Sequence, residues 1–392
     1  MPTAERICFV TLRYAGEGVV GGAETMIRDQ ALHAQRAGRK VSFLTTCATN
    51  HFTWENEIEP GTREIDGIEV TFFPTDPRDV TAFLNAQRLV EKQVDRTEED
   101  ELTWLSQGVS SEALYAHLRE HGEQYDRILI GPYLFGLTYF ASQLFPDRTI
   151  LIPCLHDESF AYMSVMRKMF RSVRTCMFNT TPEQALAQKL YDVDPESSVV
   201  VGMGLEVGDY DPLAFAAKHP EIPEYIIYSG RREGLKGTPL LIAYFQAFRE
   251  RTERDLHLVL CGKGEIGVDP AMRPYVHDLG YVTEREKLEA MAGAVAFVHP
   301  SRLESFGIVL LESWLAGTPA LVHSDCAVTR QHCADANAGL WWQTYPEFET
   351  QLCVMLDRPE MRDSMGKAGR EYVQSRYTWD TISERLLEAI DR

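Results

Sequence analysis

Glu304 and Glu312 stand eight positions apart in the stretch Ala294 to Pro319, AVAFVHPSRLESFGIVLLESWLAGTP. Ala294 to Val298 is the wholly apolar run of a buried strand, which Pro300 stops. Ser301 to Glu304 is a loop, Ser305 can cap the helix that follows, and Ile308, Leu311 and Leu315 keep helical spacing until Gly317 and Pro319 end it. A helix start presents amides without partners and a partial positive charge. The backbone at Ser305, Phe306, Gly307 and Ile308 therefore makes an anion site, with Gly307 allowing a phosphate to approach closely. Along a helix the two carboxylates would be roughly 12 Å apart, too far to share a proton or a metal. They would repel a bound anion unless they accept hydrogen bonds from hydroxyls on either side of it. A ligand with phosphate in its middle and hydroxyl-rich groups at both ends, such as a nucleoside diphosphate sugar, meets that requirement. For the pair alone, two solvated glutamates on a surface helix are the plain alternative.

A second constellation follows the apolar strand Tyr225 to Tyr228: Ser229-Gly230-Arg231-Arg232-Glu233-Gly234-Leu235-Lys236-Gly237. Arg231 and Lys236 are two cations on a glycine-bearing turn between strand and helix, a setting suited to phosphate. Farther back, Thr149 to Ile152 delivers Pro153-Cys154-Leu155-His156-Asp157-Glu158, which places His156 just past the C-terminal end of a strand, where open α/β sheets bind ligands. A lone histidine more often serves structure. The loop at Tyr281-Val282, after another strand, is a candidate for base contacts.

The run Glu304-Ser305-Phe306-Gly307 through Glu312, with a strand before and Gly317-Thr318-Pro319 after, resembles the donor-site signature of retaining glycosyltransferases of family 4, the glycosyl transferases group 1. Gly230-Arg231 followed by Lys236-Gly237 resembles their diphosphate-binding pair. The resemblance implies an α/β protein of the GT-B fold: two facing Rossmann-like domains with a central cleft, and a C-terminal helix crossing back to the first. It implies a UDP- or GDP-sugar as donor substrate, a hydroxyl acceptor, and neither cofactor nor metal. Glu312 would accept from the ribose hydroxyls, Glu304 would contact the donor sugar, and His156 would face that sugar from the other domain. Gly21 and Gly22 would lie near the donor diphosphate. On this reading Arg231→Ala or Lys236→Ala lowers turnover far more than stability.

The elements that must position these groups form two domains, as expected for 392 residues. Residues 1–204 are the first, with a helical insertion at about 76–124. Residues 205–372 are the nucleotide-sugar domain, and 373–392 the returning helix, with Trp379 as a packing anchor. Ile7 to Leu12 is a first strand, followed by the glycine-rich Ala15 to Glu24, a helix through Ala34, and a strand at Val41 to Leu44, a βαβ unit. Ile68 to Phe73 and Cys176 to Phe178 are further strands. Thr181-Pro182-Glu183-Gln184 is a helix start with its cap. Gly202 to Pro223 reads as a linker, and the acidic run Asp95 to Glu101 as a solvated face.

Thirty-nine basic against 58 acidic residues give a net charge of −19, which disfavours nucleic acid and indiscriminate attachment to anionic membranes. Arg167, Lys168, Arg171 and Arg174 are a local exception; they would suit an anionic acceptor or lipid headgroup, or be a solvated face. Eight cysteines without a C-x-x-C pair suit buried thiols in a reducing cytosol. With no signal-peptide core and no membrane span, a cytoplasmic location is expected. Gly262 to Gly267 matches G-x-G-x-x-G, but Asp269-Pro270 and Pro274 interrupt the helix that a dinucleotide site needs. The D-x-D matches at Asp192-Val193-Asp194 and Asp209-Tyr210-Asp211 fall in polar turns. A sugar-nucleotide epimerase on the same fold, an NAD-dependent oxidoreductase and a silent binding module are the rival readings.

Overall fold

The computed structural model describes residues 4–16, 21–93 and 96–392. The chain divides into two compact units, Met1–Met203 with Trp379–Arg392, and Gly204–Thr378. Residues 17–20 of the glycine-rich loop and Asp95 of the acidic run lie outside the described residues.

The first unit is built on an eight-stranded sheet: β1 (Arg6–Val10), β2 (Lys40–Thr46), β3 (Gly61–Ile65), β4 (Ile68–Phe73), β5 (Arg127–Ile130), β6 (Thr149–Leu151), β7 (Thr175–Phe178) and β8 (Val199–Val200), in the spatial order β3-β4-β2-β1-β5-β6-β7-β8. All neighbours are parallel except β3 and β4. Ile7 to Val10 of β1 are completely buried, as a parallel strand with both faces covered must be. β3 carries no apolar alternation, and its sequence gives no strand signal. It is an exposed edge, held by a two-residue hairpin in which Asp66 and Gly67 both take positive φ. The helices Val80–Lys92, Glu98–Ser106 and Glu112–His121 lie between β4 and β5.

Two charge readings change. Glu101 is buried, not solvated: it takes Arg96 at 2.8 Å and the Ser164 hydroxyl at 2.7 Å. The basic cluster, its side chains about half exposed, pairs in part within its own unit, with Arg167 2.7 Å from Asp192 and Lys168 2.5 Å from Glu98. Arg174 lies beyond the helix Ser164–Ser172 and donates to the Arg392 carbonyl. The closing helix Trp379–Asp391 belongs to this unit, and Trp379 stacks on His33 with ring centroids 3.9 Å apart.

In the second unit six parallel strands, β9 (Tyr225–Ser229), β10 (His257–Cys261), β11 (Val276–Gly280), β12 (Ala296–His299), β13 (Ala320–His323) and β14 (Gly339–Trp342), run in the order β11-β10-β9-β12-β13-β14. β9, β10, β12 and β13 are buried throughout, and Phe245, Phe248, Trp342 and Phe348 fill the space beneath flanking helices. The stretch read as a linker contains a helix, Pro212–Lys218, capped by Asp211 and anchored by buried Phe215 against Tyr225. All eight cysteines are free thiols, seven of them buried.

Candidate active site

β9 has β10, the next strand in the chain, on one side and β12 on the other. The turns leaving β9 and β12 therefore diverge at the carboxyl edge of the sheet, and such a switch point opens the crevice where α/β sheets bind ligands. Gly230 to Lys236 leaves β9 there, and Pro300 to Gly307 leaves β12. Gly237 closes the first turn at φ +73°, and a Cβ on it would lie 2.5 Å from the Pro300 carbonyl oxygen. Only glycine permits that approach, and it brings Lys236 onto the neighbouring loop.

Lys236 Nζ is 2.6 Å from Glu304 Oε1, and His299 Nε2, from the last residue of β12, is 3.2 Å from the same oxygen. Burial alone would push the Glu304 carboxyl up, but Lys236 and His299 outweigh it and hold the group well below the usual carboxylate range. Arg231 is half exposed, its Nη1 3.1 Å from Glu233 Oε1. Arg232 does a different job. Its buried fork reaches the Asp278 carboxylate and the carbonyls of Gly262 and Gly264, at 2.7 and 2.8 Å. It thereby clasps the turn that matched the dinucleotide fingerprint, and no α-helix opens after that turn. Adjacent arginines cannot be sorted by type alone; the buried pairing of Arg232 emerges only when β11 is in place.

The helix after β12 is Ile308–Leu315. Its N-cap is Gly307 at φ +77°, not Ser305, and a Cβ there would press on Thr329 Cγ2 at 3.2 Å. The first-turn amides thus begin at Ile308, past Phe306 and Gly307. On this helix Glu312 takes Lys287 Nζ at 2.7 Å, and the same ammonium meets Glu284 at 2.6 Å. Burial pushes the Glu312 carboxyl up to about 7, Lys287 pulling it down and Glu284 adding to the rise. Tyr281, past the end of β11, is 68% exposed with Lys263 Nζ 5.4 Å from its ring centre, and Val282 is half-buried. The carboxyl edge of this one sheet therefore carries Arg231, Lys236, Tyr281, Glu304 and the helix start together.

His156 and Gly21-Gly22 belong to the first unit. His156 is half-exposed past β6, its Nδ1 3.6 Å from Glu158 Oε1, which in turn accepts from the Tyr133 hydroxyl at 2.9 Å. The loop carrying it is pinned from beneath by Glu183, a buried carboxylate whose two oxygens accept the Leu155 and Asn179 N–H groups, each at 2.6 Å. Burial pushes the Glu183 carboxyl up to about 8 against those hydrogen bonds. The cap of its helix is Thr180, whose hydroxyl accepts from the Glu183 N–H, not Thr181. Gly21 is the N-cap of the helix Gly22–Arg36, beside the buried ion pair of Arg13 and Glu24. Neither Glu183 nor Arg13 was singled out in the sequence, because a helix-start glutamate and a strand-end arginine look ordinary until their burial is known. Among the described residues no group of three or more His, Cys, Asp or Glu side chains could hold a metal ion. Asp192 pairs with Arg167, and Asp209 with Arg370.

Residues 210–372 match the family described as Glycosyl transferases group 1. A D-inositol 3-phosphate glycosyltransferase of Corynebacterium aurimucosum is 27% identical over 231 residues, 53% of this chain and 54% of that protein. The chain spans about half the length of the curated relatives it matches. Sucrose-phosphate synthase from Thermosynechococcus elongatus superposes with a TM-score of 0.70 at 17% identity, over 97% of this chain and 96% of that one. Anabaena HepE, solved in complex with UDP and glucose, gives a TM-score of 0.70 at 15% identity, over 98% of both chains. The fold is GT-B. The match to the group 1 glycosyl transferases falls within the second unit.

Proposed function

We propose that the protein transfers a sugar from a nucleoside diphosphate sugar, UDP- or GDP-linked, to a hydroxyl acceptor, in glycan, glycolipid or glycosylated-metabolite synthesis. The observation that carries this reading is the Lys236–Glu304 pair at the switch point of the second sheet, beside the first turn of the helix that bears Glu312. Transfer breaks the bond between the anomeric carbon and a phosphate oxygen, leaving a cation-like ring and a departing diphosphate. The protein's main electrostatic task is to stabilise that diphosphate. Lys236, Arg231 and the helix amides from Ile308 onward supply positive potential for it. Glu312 accepts from the ribose hydroxyls, and Tyr281 and Val282 flank the base. Glu304 and His156 contact the donor sugar, and Gly21 and Gly22 serve the diphosphate. Configuration is retained, without a metal, as the leaving phosphate oxygen takes the acceptor's proton.

The UDP held by HepE, and the glycosyltransferase named among the relatives, support a nucleotide-sugar donor. No helix among the described residues is long and apolar enough to cross a membrane; a cytoplasmic protein with reduced thiols is proposed. The test has two steps. UDP or GDP, and not NAD, should raise the melting temperature. Nucleoside diphosphate should then be released from a UDP- or GDP-sugar only when a hydroxyl acceptor is present. Release without acceptor, or stabilisation by NAD alone, would contradict transfer.

A further inference from the structure

We propose that His299 is a positioning residue that holds Glu304 on the donor sugar when Lys236 leaves it for the diphosphate. The inference rests on the donor reading above and adds a residue to it. One oxygen, Glu304 Oε1, receives both Lys236 Nζ at 2.6 Å and His299 Nε2 at 3.2 Å. The two donors differ in freedom. Lys236 sits on a turn at the end of a flexible four-carbon stem, its side chain about a quarter exposed, and can swing to a phosphate. His299 ends a buried strand, its ring is stacked on Phe297 with centroids 5.5 Å apart, and it cannot follow.

Glu304 is itself nearly buried. If Lys236 turned away with no second donor present, a desolvated carboxylate would be stranded at a large cost. The His299 ring lowers that cost and keeps the carboxylate oxygen aimed where it was. The other ring nitrogen supports this assignment: Nδ1 is buried and has no hydrogen-bond partner among the described residues. A purely packing role would be filled better by an apolar side chain, which would bury no unpaired polar atom. The polar work of the ring is therefore confined to Glu304. A bare diphosphate also draws Lys236 away, so the contact bears on both ligands, and more on the nucleotide sugar, where the carboxylate must also stay aimed at the sugar.

The experiment compares wild type, His299→Leu and His299→Gln by calorimetric titration with UDP and UDP-glucose, and with GDP and GDP-mannose, alongside kcat for nucleoside diphosphate release. Leucine fills the space without a donor; glutamine returns an N–H near the place of Nε2. His299→Leu should bind the sugar-free nucleotide about tenfold more weakly than wild type, bind the nucleotide sugar about 100-fold more weakly, and lose about 100-fold in kcat. His299→Gln should recover most of these losses. If the leucine variant does not fold, His299→Asn, whose amide is too short to reach Glu304, should give the same unequal loss. Equal weakening of sugar-free and sugar-bearing nucleotides, no change in either, or a glutamine variant no better than leucine would overturn the role of His299. A wild-type protein indifferent to all four nucleotides would overturn the donor reading and this role with it.

Discussion

Lys236 Nζ lies 2.6 Å from Glu304 Oε1 although 68 positions separate the two residues. The contact exists because the neighbouring strands β9 and β12 release their turns at the same edge of one parallel sheet, and because Gly237 lets the first turn settle on the Pro300 carbonyl. On the proposed donor reading, a cation for phosphate thus rests on a carboxylate for hydroxyls. A diphosphate can exchange for that carboxylate at little loss, provided the carboxylate keeps another donor.

The two cations should respond differently to removal. Arg231→Ala deletes a half-exposed side chain and should lower turnover by about 100-fold while leaving stability within about 0.5 kcal/mol. Lys236→Ala also strands Glu304 with His299 as its remaining partner, so it should lower turnover as far and cost roughly 1–3 kcal/mol in urea unfolding. The sequence alone suggested that both would spare stability. The buried pair alters that expectation for Lys236.

Glu312 should make donor affinity depend on pH. Its carboxyl is pushed up to about 7, so the folded protein holds this proton more tightly than the unfolded chain, and the ionised acceptor form appears only as pH rises through that value. Affinity for a nucleoside diphosphate sugar, whose phosphodiester groups do not titrate in this range, should improve by up to about tenfold between pH 6 and pH 8. Glu312→Gln should flatten the curve, and calorimetry at the two pH values reads both.

Glu183→Gln should cost about 1–3 kcal/mol, because the amide would turn N–H groups toward a backbone N–H that now finds an oxygen. Since burial raises this carboxyl to about 8, the folded state binds the proton more tightly, and wild-type stability should fall as pH rises from about 5 to 8. The glutamine variant lacks this titration. The stability gap between the two proteins in urea should therefore narrow with rising pH.

His156→Ala removes a half-exposed ring whose Nδ1 lies 3.6 Å from Glu158 Oε1. The melting temperature should stay within about 1 °C of wild type, and kcat should drop by at least about tenfold. Unchanged turnover would return His156 to a structural role.

Much of this is legible in the sequence. Apolar runs without alternation announced β1, β9, β12 and β13, because strands covered on both faces leave no other pattern. The Gly230–Gly237 and Glu304–Glu312 segments stood out because turn glycines, cations and a helix start sit at fixed offsets. What stayed hidden depends on distant partners. β3 gave no sign because an exposed edge needs no apolar residues and its signal is only the Asp66-Gly67 turn. Ser305 looked like a cap by type, but a left-handed Gly307 packed on Thr329 does that work. Arg231 and Arg232 are adjacent and identical in type, yet Asp278 on another strand buries one and leaves the other half exposed. The Arg167 cluster looked like a basic face until Glu98 and Asp192 were seen to pair with it.

The central claim is that the carboxyl edge of the second sheet grips a diphosphate. A crystal structure of the protein with UDP or GDP tests it directly. The account predicts phosphate oxygens within about 3 Å of Lys236 Nζ and of the first amides of the helix Ile308–Leu315, with Glu312 on the ribose. A diphosphate bound at any other edge of the protein, with Lys236 still on Glu304, would contradict it.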